Sequence, residues 1–154
     1  MREIRLTQGQ VALVDDEDYD EVSKWKWYAA WQKNSNAFYA RKRSGYLHRF
    51  LMGYGKGDTR MVDHRDRNPL NNQRSNLRAS NHVQNAGNQD VRKGNKSGYK
   101  GVYWHIRDNI WIATCGKRHL GSFKDKKDAA KAYDEAAKVA HGEFARLNFP
   151  NTVV

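Results

Sequence analysis

The chain has 154 residues, with 28 Lys+Arg against 17 Asp+Glu and a net charge of +11, room for one ordinary domain or two or three very small ones. Its longest all-apolar run is Trp27 to Trp31, too short for a transmembrane helix, and its one cysteine, Cys115, excludes a disulfide framework and a cysteine-based zinc finger. Mean hydropathy is −1.00, yet 12% of the residues are aromatic, which suits small cores, and the positive surplus points to a polyanionic partner.

Met1-Arg2-Glu3-Ile4-Arg5-Leu6 has no signal-peptide core, so a soluble, cytoplasmic protein is expected. Val11-Ala12-Leu13-Val14 reads as a buried strand. The acidic run Asp15-Asp16-Glu17-Asp18 suits a helix start, ahead of Tyr19, Val22 and Trp25 at helical spacing. Phe38-Tyr39-Ala40 is a second strand, followed by the basic triplet Arg41-Lys42-Arg43. Leu47, Phe50 and Leu51 form the apolar stripe of a short helix that also carries His48 and Arg49. Most of this region reads as scaffold.

From Met61 the chain is rich in Asp, His and Asn. Asp63-His64 is followed by Asn76, twelve residues after His64, and by Asn85, twenty-one after it. This order and spacing resemble the His-Asn-His nuclease motif in its His-Asn-Asn form, known from homing endonucleases of phages and mobile introns. The string VDHRDRNPLNNQRSNLR resembles that family over its whole length, and LHRFLMG at 47–53 matches its preceding helix.

Phosphodiester hydrolysis needs a base for the attacking water and a cation at the leaving oxygen. An imidazole can take that proton near neutral pH, the role assigned to His64. By resemblance, Asp63 and Asn85 hold a hard divalent ion through oxygen, Mg²⁺ first and Mn²⁺ as the alternative. Asn76 is read as holding the loop by hydrogen bonds to backbone. Neighbours on a regular strand point to opposite faces, so Asp63 and His64 belong at a strand end or bulge. Asn85 falls on a short helix, with Ser80 as its expected cap. His82, one turn before Asn85, either orients the ligand, meets a phosphate or is a solvated helix face; His48 either contacts DNA near the site or packs. A zinc site from His48, His64 and His82 has neither cysteine nor close spacing. The family implies a ββα-metal core, and Arg67 stands where relatives often have glycine.

From Ser97 the pattern becomes β-rich. Tyr99 to Trp104 alternates, Ile110 to Cys115 and Lys117 to Phe123 are further strands, and Arg107-Asp108-Asn109 and Gly116-Lys117 are turns. Asp125 caps a helix with Ala129, Tyr133, Ala136, Ala137 and Ala140 on one stripe, and Gly142 ends it. YKGVYW, Trp111, LGSFKDKKDAAKAYDEAA and LNFP at 147–150 resemble the plant ethylene-response-factor (Apetala-two) DNA-binding domain. In that family the sheet lies in the major groove, a known docking mode for β elements. Alternation places Val102 and Trp104 under the helix and Tyr103 and His105 on the open face. By the same resemblance Lys100, Arg107, Thr114, Lys117 and His119 fall near contact positions. Tyr103 and His105 replace arginines common in the plant relatives, so base preference is not carried over.

The expected fold is α+β: a strand-rich segment at 1–46, a nuclease core at 47–90, a linker at 91–97, and a three-stranded antiparallel sheet on one helix at 98–150. The expected function is site-directed, one-strand cleavage of double-stranded DNA by a homing-type endonuclease, without membrane or obligatory protein partner, as monomer or weak dimer. A phage-encoded protein of this kind acts in the bacterial host cytoplasm. The rival is a DNA-binding regulator with an inactive nuclease core; an RNA-binding protein is the weaker third reading.

Overall fold

The computed structural model describes residues 1–150. The chain divides into two compact units, Met1–His82 and the residues from Val83 onward. No helix of the described residues is long and apolar enough to cross a membrane.

The first unit opens with strands β1 (Arg2–Arg5) and β2 (Val11–Val14), paired antiparallel. Helix α1 (Asp16–Ser23) follows directly, with Asp16, Glu17 and Asp18 in its first turn, where carboxylates favour the helix dipole. Strands β3 (Tyr28–Gln32), β4 (Ala37–Lys42) and β5 (Gly45–Tyr46) form an antiparallel meander. Helix α2 (Leu47–Leu51) leads to β6 (Met61–His64) and β7 (Leu77–Ser80), an antiparallel pair. One core joins these pieces: Ile4, Ala12, Val14, Val22, Trp27, Ala40, Leu47, Leu51 and Leu77 are all buried. Val22 and Leu47 are fully enclosed and each stabilise the unit by about 1.5–3 kcal/mol.

Strands β1 and β3 carry little sequence signal. Ile4 is the one buried position in β1, and Tyr28 to Gln32 lack polar–apolar alternation.

The second unit begins with α3 (His82–Asn88), whose first residue is the last of the first unit. Three antiparallel strands follow, β8 (Val102–His105), β9 (Ile110–Cys115) and β10 (Arg118–Phe123), in the order β10-β9-β8. Helix α4 (Lys126–His141) packs on them. Asp125 caps α4 by accepting a hydrogen bond from Lys127 N at 2.5 Å, and Gly142 closes it. Ala129, Ala130 and Ala137 are fully enclosed, so the helix backbone lies near the sheet. Gly101, just before β8, shows how near. Its φ is +73°, and a Cβ there would stand 2.0 Å from the Tyr133 ring and 2.6 Å from the Thr114 carbonyl. Only glycine fits.

Two local expectations change. Val102 lies under α4, but Trp104 is 40% exposed at the strand's far end and packs edge-on against Trp111. Ser80 ends β7, so Asn81, not Ser80, directly precedes α3. The stretch expected as a linker is tied down as well. Asn95 donates to the carbonyls of Tyr99 and Val102, and the buried Ser97 hydroxyl donates to Val102 O at 2.8 Å.

Candidate active site

Asp63 and His64 end β6 with regular pairing, Asp63 opposite Arg78 and His64 opposite Leu77. The pair therefore sits at a strand end and needs no bulge. Alternation sends the two side chains to opposite faces, and each finds a different environment. Asp63 and Arg78 form a buried ion pair, with Arg78 Nε donating to Oδ2 at 2.8 Å. Such a pair is costly to break from one side.

His64 goes to the core side, where four rings gather. Its imidazole meets His48 edge-on at 5.2 Å and Tyr39 edge-on at 6.3 Å. His48 in turn stacks on Tyr46 at 5.4 Å. Burial pushes His64 below its ordinary value, against an opposing pull from the Asn72 amide and the charges of Asp66 and Asp63. Burial, then His64 and Arg49, push His48 down to about 3. His48 is thus a neutral, packed wall beside His64.

The loop between β6 and β7 is locked by amides. Asn76 Nδ2 donates to Asp66 Oδ1 at 2.9 Å and to Asn71 O at 2.8 Å, while Asn76 Oδ1 accepts from Asp66 N. The Asn76 carbonyl accepts from Arg65 N at 2.9 Å. Asp66 also accepts from Asn68 N and the Asn71 amide. Burial alone would raise Asp66, but these hydrogen bonds together hold it below the usual carboxylate range. Arg67 adopts φ +65°, a conformation glycine takes more readily.

The amino-terminal segment braces this loop. Leu13 exchanges backbone hydrogen bonds with Leu70 and Asn72. Asp15 accepts from the Gln73 amide and Arg74 N, which lowers its carboxyl, and Arg74 pairs with Asp18 at 2.7 Å. Asp15, Glu17 and Asp18 are the one cluster of three metal-type side chains among the described residues, and Arg74 already answers its charge. Arg49 of the preceding helix holds the carbonyls of Asp58 and Arg60 and so fixes the approach to β6.

Asn85 lies on α3, in the second unit, and His82 is the exposed first residue of that helix. On the sheet, Tyr103 (47% exposed) leads the face away from α4, and His119 pairs with Thr114 on that side. Arg107 and Lys117 are exposed in the two hairpin turns. His105 Nδ1 lies 3.1 Å from Asp108. Lys100 is directed to α3 and hydrogen-bonds the carbonyls of Ala86, Gly87 and Gln89.

Sequence reasoning gave no role to Tyr39, Tyr46, Asp66, Asn72 or Arg78. Asp66, Asn72 and Arg78 had a signal, lying inside the motif string; Tyr39 and Tyr46 join the site only through the fold.

Over 149 residues the chain is 34% identical to an uncharacterized HNH endonuclease, L560, of Acanthamoeba polyphaga mimivirus, covering 92% of this chain and 76% of that protein. Protein 3.8 of Escherichia phage T7 is 34% identical over 89 residues, 56% of this chain and 74% of its own. A stretch of 33 residues is 58% identical to dehydration-responsive element-binding protein 2A of Arabidopsis thaliana, 21% of this chain and 10% of that protein. No family model matches the chain, and no solved structure does.

Proposed function

The chain belongs to the HNH endonucleases, and we propose that it is a homing-type, site-directed enzyme that hydrolyses one strand of double-stranded DNA. The observation that carries this reading is the surround of His64: a buried imidazole at a strand end, walled by neutral His48 and Tyr39, with Asp63 next to it in the chain.

In this reading His64 takes the proton of the attacking water. The pull of burial keeps its imidazole in the neutral, accepting form at physiological pH. Asp63 and Asn85 offer one carboxylate and one amide oxygen, a donor set that suits a hard divalent ion such as Mg²⁺. Bound there, the ion supplies positive charge for the oxygen that leaves. Arg78 holds the Asp63 carboxylate in one orientation, and Asn76 and Asp66 hold the loop that follows His64. The sheet of the second unit docks on the duplex in the Apetala-two manner, with Tyr103, His105, Arg107, Thr114, Lys117 and His119 on or beside the docking face. A basic chain in this role binds phosphate and steers onto DNA electrostatically.

The rival reading, a DNA-binding regulator with an inactive core, draws on the Asp63–Arg78 pair, which gives the carboxylate a resident cation. Nicking of supercoiled plasmid with Mg²⁺, with and without chelator, separates the two. Metal-dependent nicking that His64→Ala abolishes supports the enzyme; DNA binding without any nicking supports the regulator.

A further inference from the structure

The ammonium of Lys100 is committed to the end of α3. Its Nζ donates to Ala86 O at 3.1 Å, Gly87 O at 2.5 Å and Gln89 O at 2.7 Å. A lysine ammonium has three N–H donors, and three carbonyls meet them. These are the groups that a helix leaves without partners at its carboxyl end, where its dipole is also negative. A cation there satisfies both needs.

The same helix end is gripped from two further sides. Gly87 lies against His141 so closely that a Cβ would stand 2.7 Å from the ring. Its carbonyl accepts from Arg146 N at 3.0 Å, and the Arg146 guanidinium pairs with Asp90 at 3.1 Å.

Lys100 is itself held rigidly. Its backbone N–H donates to Asn148 Oδ1 at 2.7 Å, and its carbonyl accepts from Asn148 Nδ2 at 3.1 Å. Asn148 N–H donates to Asp134, a buried residue of α4, at 2.8 Å. A continuous set of hydrogen bonds thus runs from α4, which backs the sheet, through Asn148 and Lys100 to α3, which carries Asn85.

We propose that Lys100 is a positioning residue for Asn85: it fastens α3 to the sheet unit and acts in the reaction through that helix, not by touching DNA. This rests on Asn85 being a metal ligand. The sheet unit then does more than supply affinity, because it carries a catalytic ligand on a braced helix. A fragment ending at residue 95 holds Asp63, His64, Asn76 and Asn85, but lacks Lys100, His141 and Arg146, and its α3 has lost its fastening.

The test uses the full chain with Lys100→Met, which keeps the stem and removes the charge, and Lys100→Gln as a second variant should the first fold poorly. Three quantities are read: hydrogen exchange of the α3 amides, affinity for a duplex oligonucleotide across a salt series without metal, and the Mg²⁺ concentration for half-maximal nicking. The expected result is faster exchange at 85–88 with α4 protection intact, unchanged DNA affinity and salt slope, and a Mg²⁺ requirement raised by about 10–100-fold, the usual effect of losing a ligand's support. A drop in DNA affinity with the salt slope reduced by about one, and an unchanged Mg²⁺ requirement, would make Lys100 a phosphate contact and overturn the proposal. Asn85→Ala separates the two levels. Wild-type nicking by Asn85→Ala at limiting Mg²⁺ removes the ligand reading and the proposal with it. A metal defect in Asn85→Ala alone, with both Lys100 variants like wild type in exchange and Mg²⁺ requirement, removes the proposal and leaves the ligand reading standing.

Discussion

Asp63 and Arg78 stand opposite each other on β6 and β7, and both Nε and Nη2 of the guanidinium lie 2.8 Å from the same carboxylate oxygen, Oδ2. Both residues are buried, so the pair is screened little by water. Arg78→Met leaves a carboxylate without its cation in that setting, which costs about 3–5 kcal/mol. Arg78→Lys keeps the charge but not the two-nitrogen approach, and loses less. Urea unfolding at neutral pH measures both. A loss under about 1 kcal/mol for Arg78→Met, the range of an exposed ion pair, shows that the pair is not buried in solution.

His48 gives the first unit a pH dependence. Its pKa is about 3 in the folded chain against 6.5 as the ordinary value, so the unfolded chain binds the proton more readily. Stability from this group is complete above about pH 6.5 and falls as the pH drops toward 3. Between pH 6.5 and 5 the loss is on the order of 2 kcal/mol. His48→Phe fills the same aromatic site without a titrating nitrogen. Its urea midpoint is expected to change less between pH 7 and 5 than that of wild type. Equal changes in the two proteins rule out a buried, neutral His48.

Gly101 and Gly116 make a matched pair in the second unit. Both have positive φ, +73° and +60°, but only Gly101 has atoms where a Cβ would go. Gly116→Ala meets backbone strain alone, about 1–2 kcal/mol. Gly101→Ala adds a clash with the Tyr133 ring and the Thr114 carbonyl, for a total above roughly 3 kcal/mol. Thermal unfolding of the two variants side by side reads the difference; equal losses mean that Tyr133 does not press on Gly101.

How much of this was legible in the sequence depends on range. Helix α4 was read almost whole, because its cap Asp125, its alanine stripe and its stop Gly142 are all local signals. The spacing from Asp63 to Asn85 likewise carried the family. What stayed hidden depends on distant parts of the chain. Tyr39 reaches His64 from β4, and Arg78 reaches Asp63 from the far side of a long loop. Asp15 looked like a helix-start carboxylate, yet it also holds Gln73 and Arg74. Lys100 falls near a DNA-contact position by resemblance, and no local pattern reveals the three carbonyls that converge on its ammonium.

Lys117 is exposed in the β9–β10 turn and, unlike Lys100, is proposed to face the DNA. Lys117→Ala is expected to weaken duplex binding uniformly across sequences and to lower the salt slope by about one. Nicking at saturating DNA stays at the wild-type rate, since no group acting on the scissile phosphate is touched. An unchanged salt slope takes Lys117 off the docking face.

The last prediction separates the base from the ligand. His64→Ala removes the group proposed to take the water's proton, so nicking is expected to fall by roughly 10²–10⁴-fold. DNA affinity changes little, because the imidazole acts in the transition state and not in binding. For the ligand, Asp63→Asn is the cleaner substitution than alanine. The amide oxygen still accepts from Arg78, so the buried guanidinium keeps a hydrogen-bond partner that alanine would remove, although both substitutions take away its counter-charge. Nicking by Asp63→Asn falls through weaker hold on the ion, and raising Mg²⁺ restores part of it by mass action. Excess Mg²⁺ leaves His64→Ala where it was, since no ligand was lost. Plasmid nicking over a Mg²⁺ series reads the contrast. Rescue of His64→Ala with none for Asp63→Asn reverses the two roles, and wild-type rates in both variants place the chemistry elsewhere in the chain.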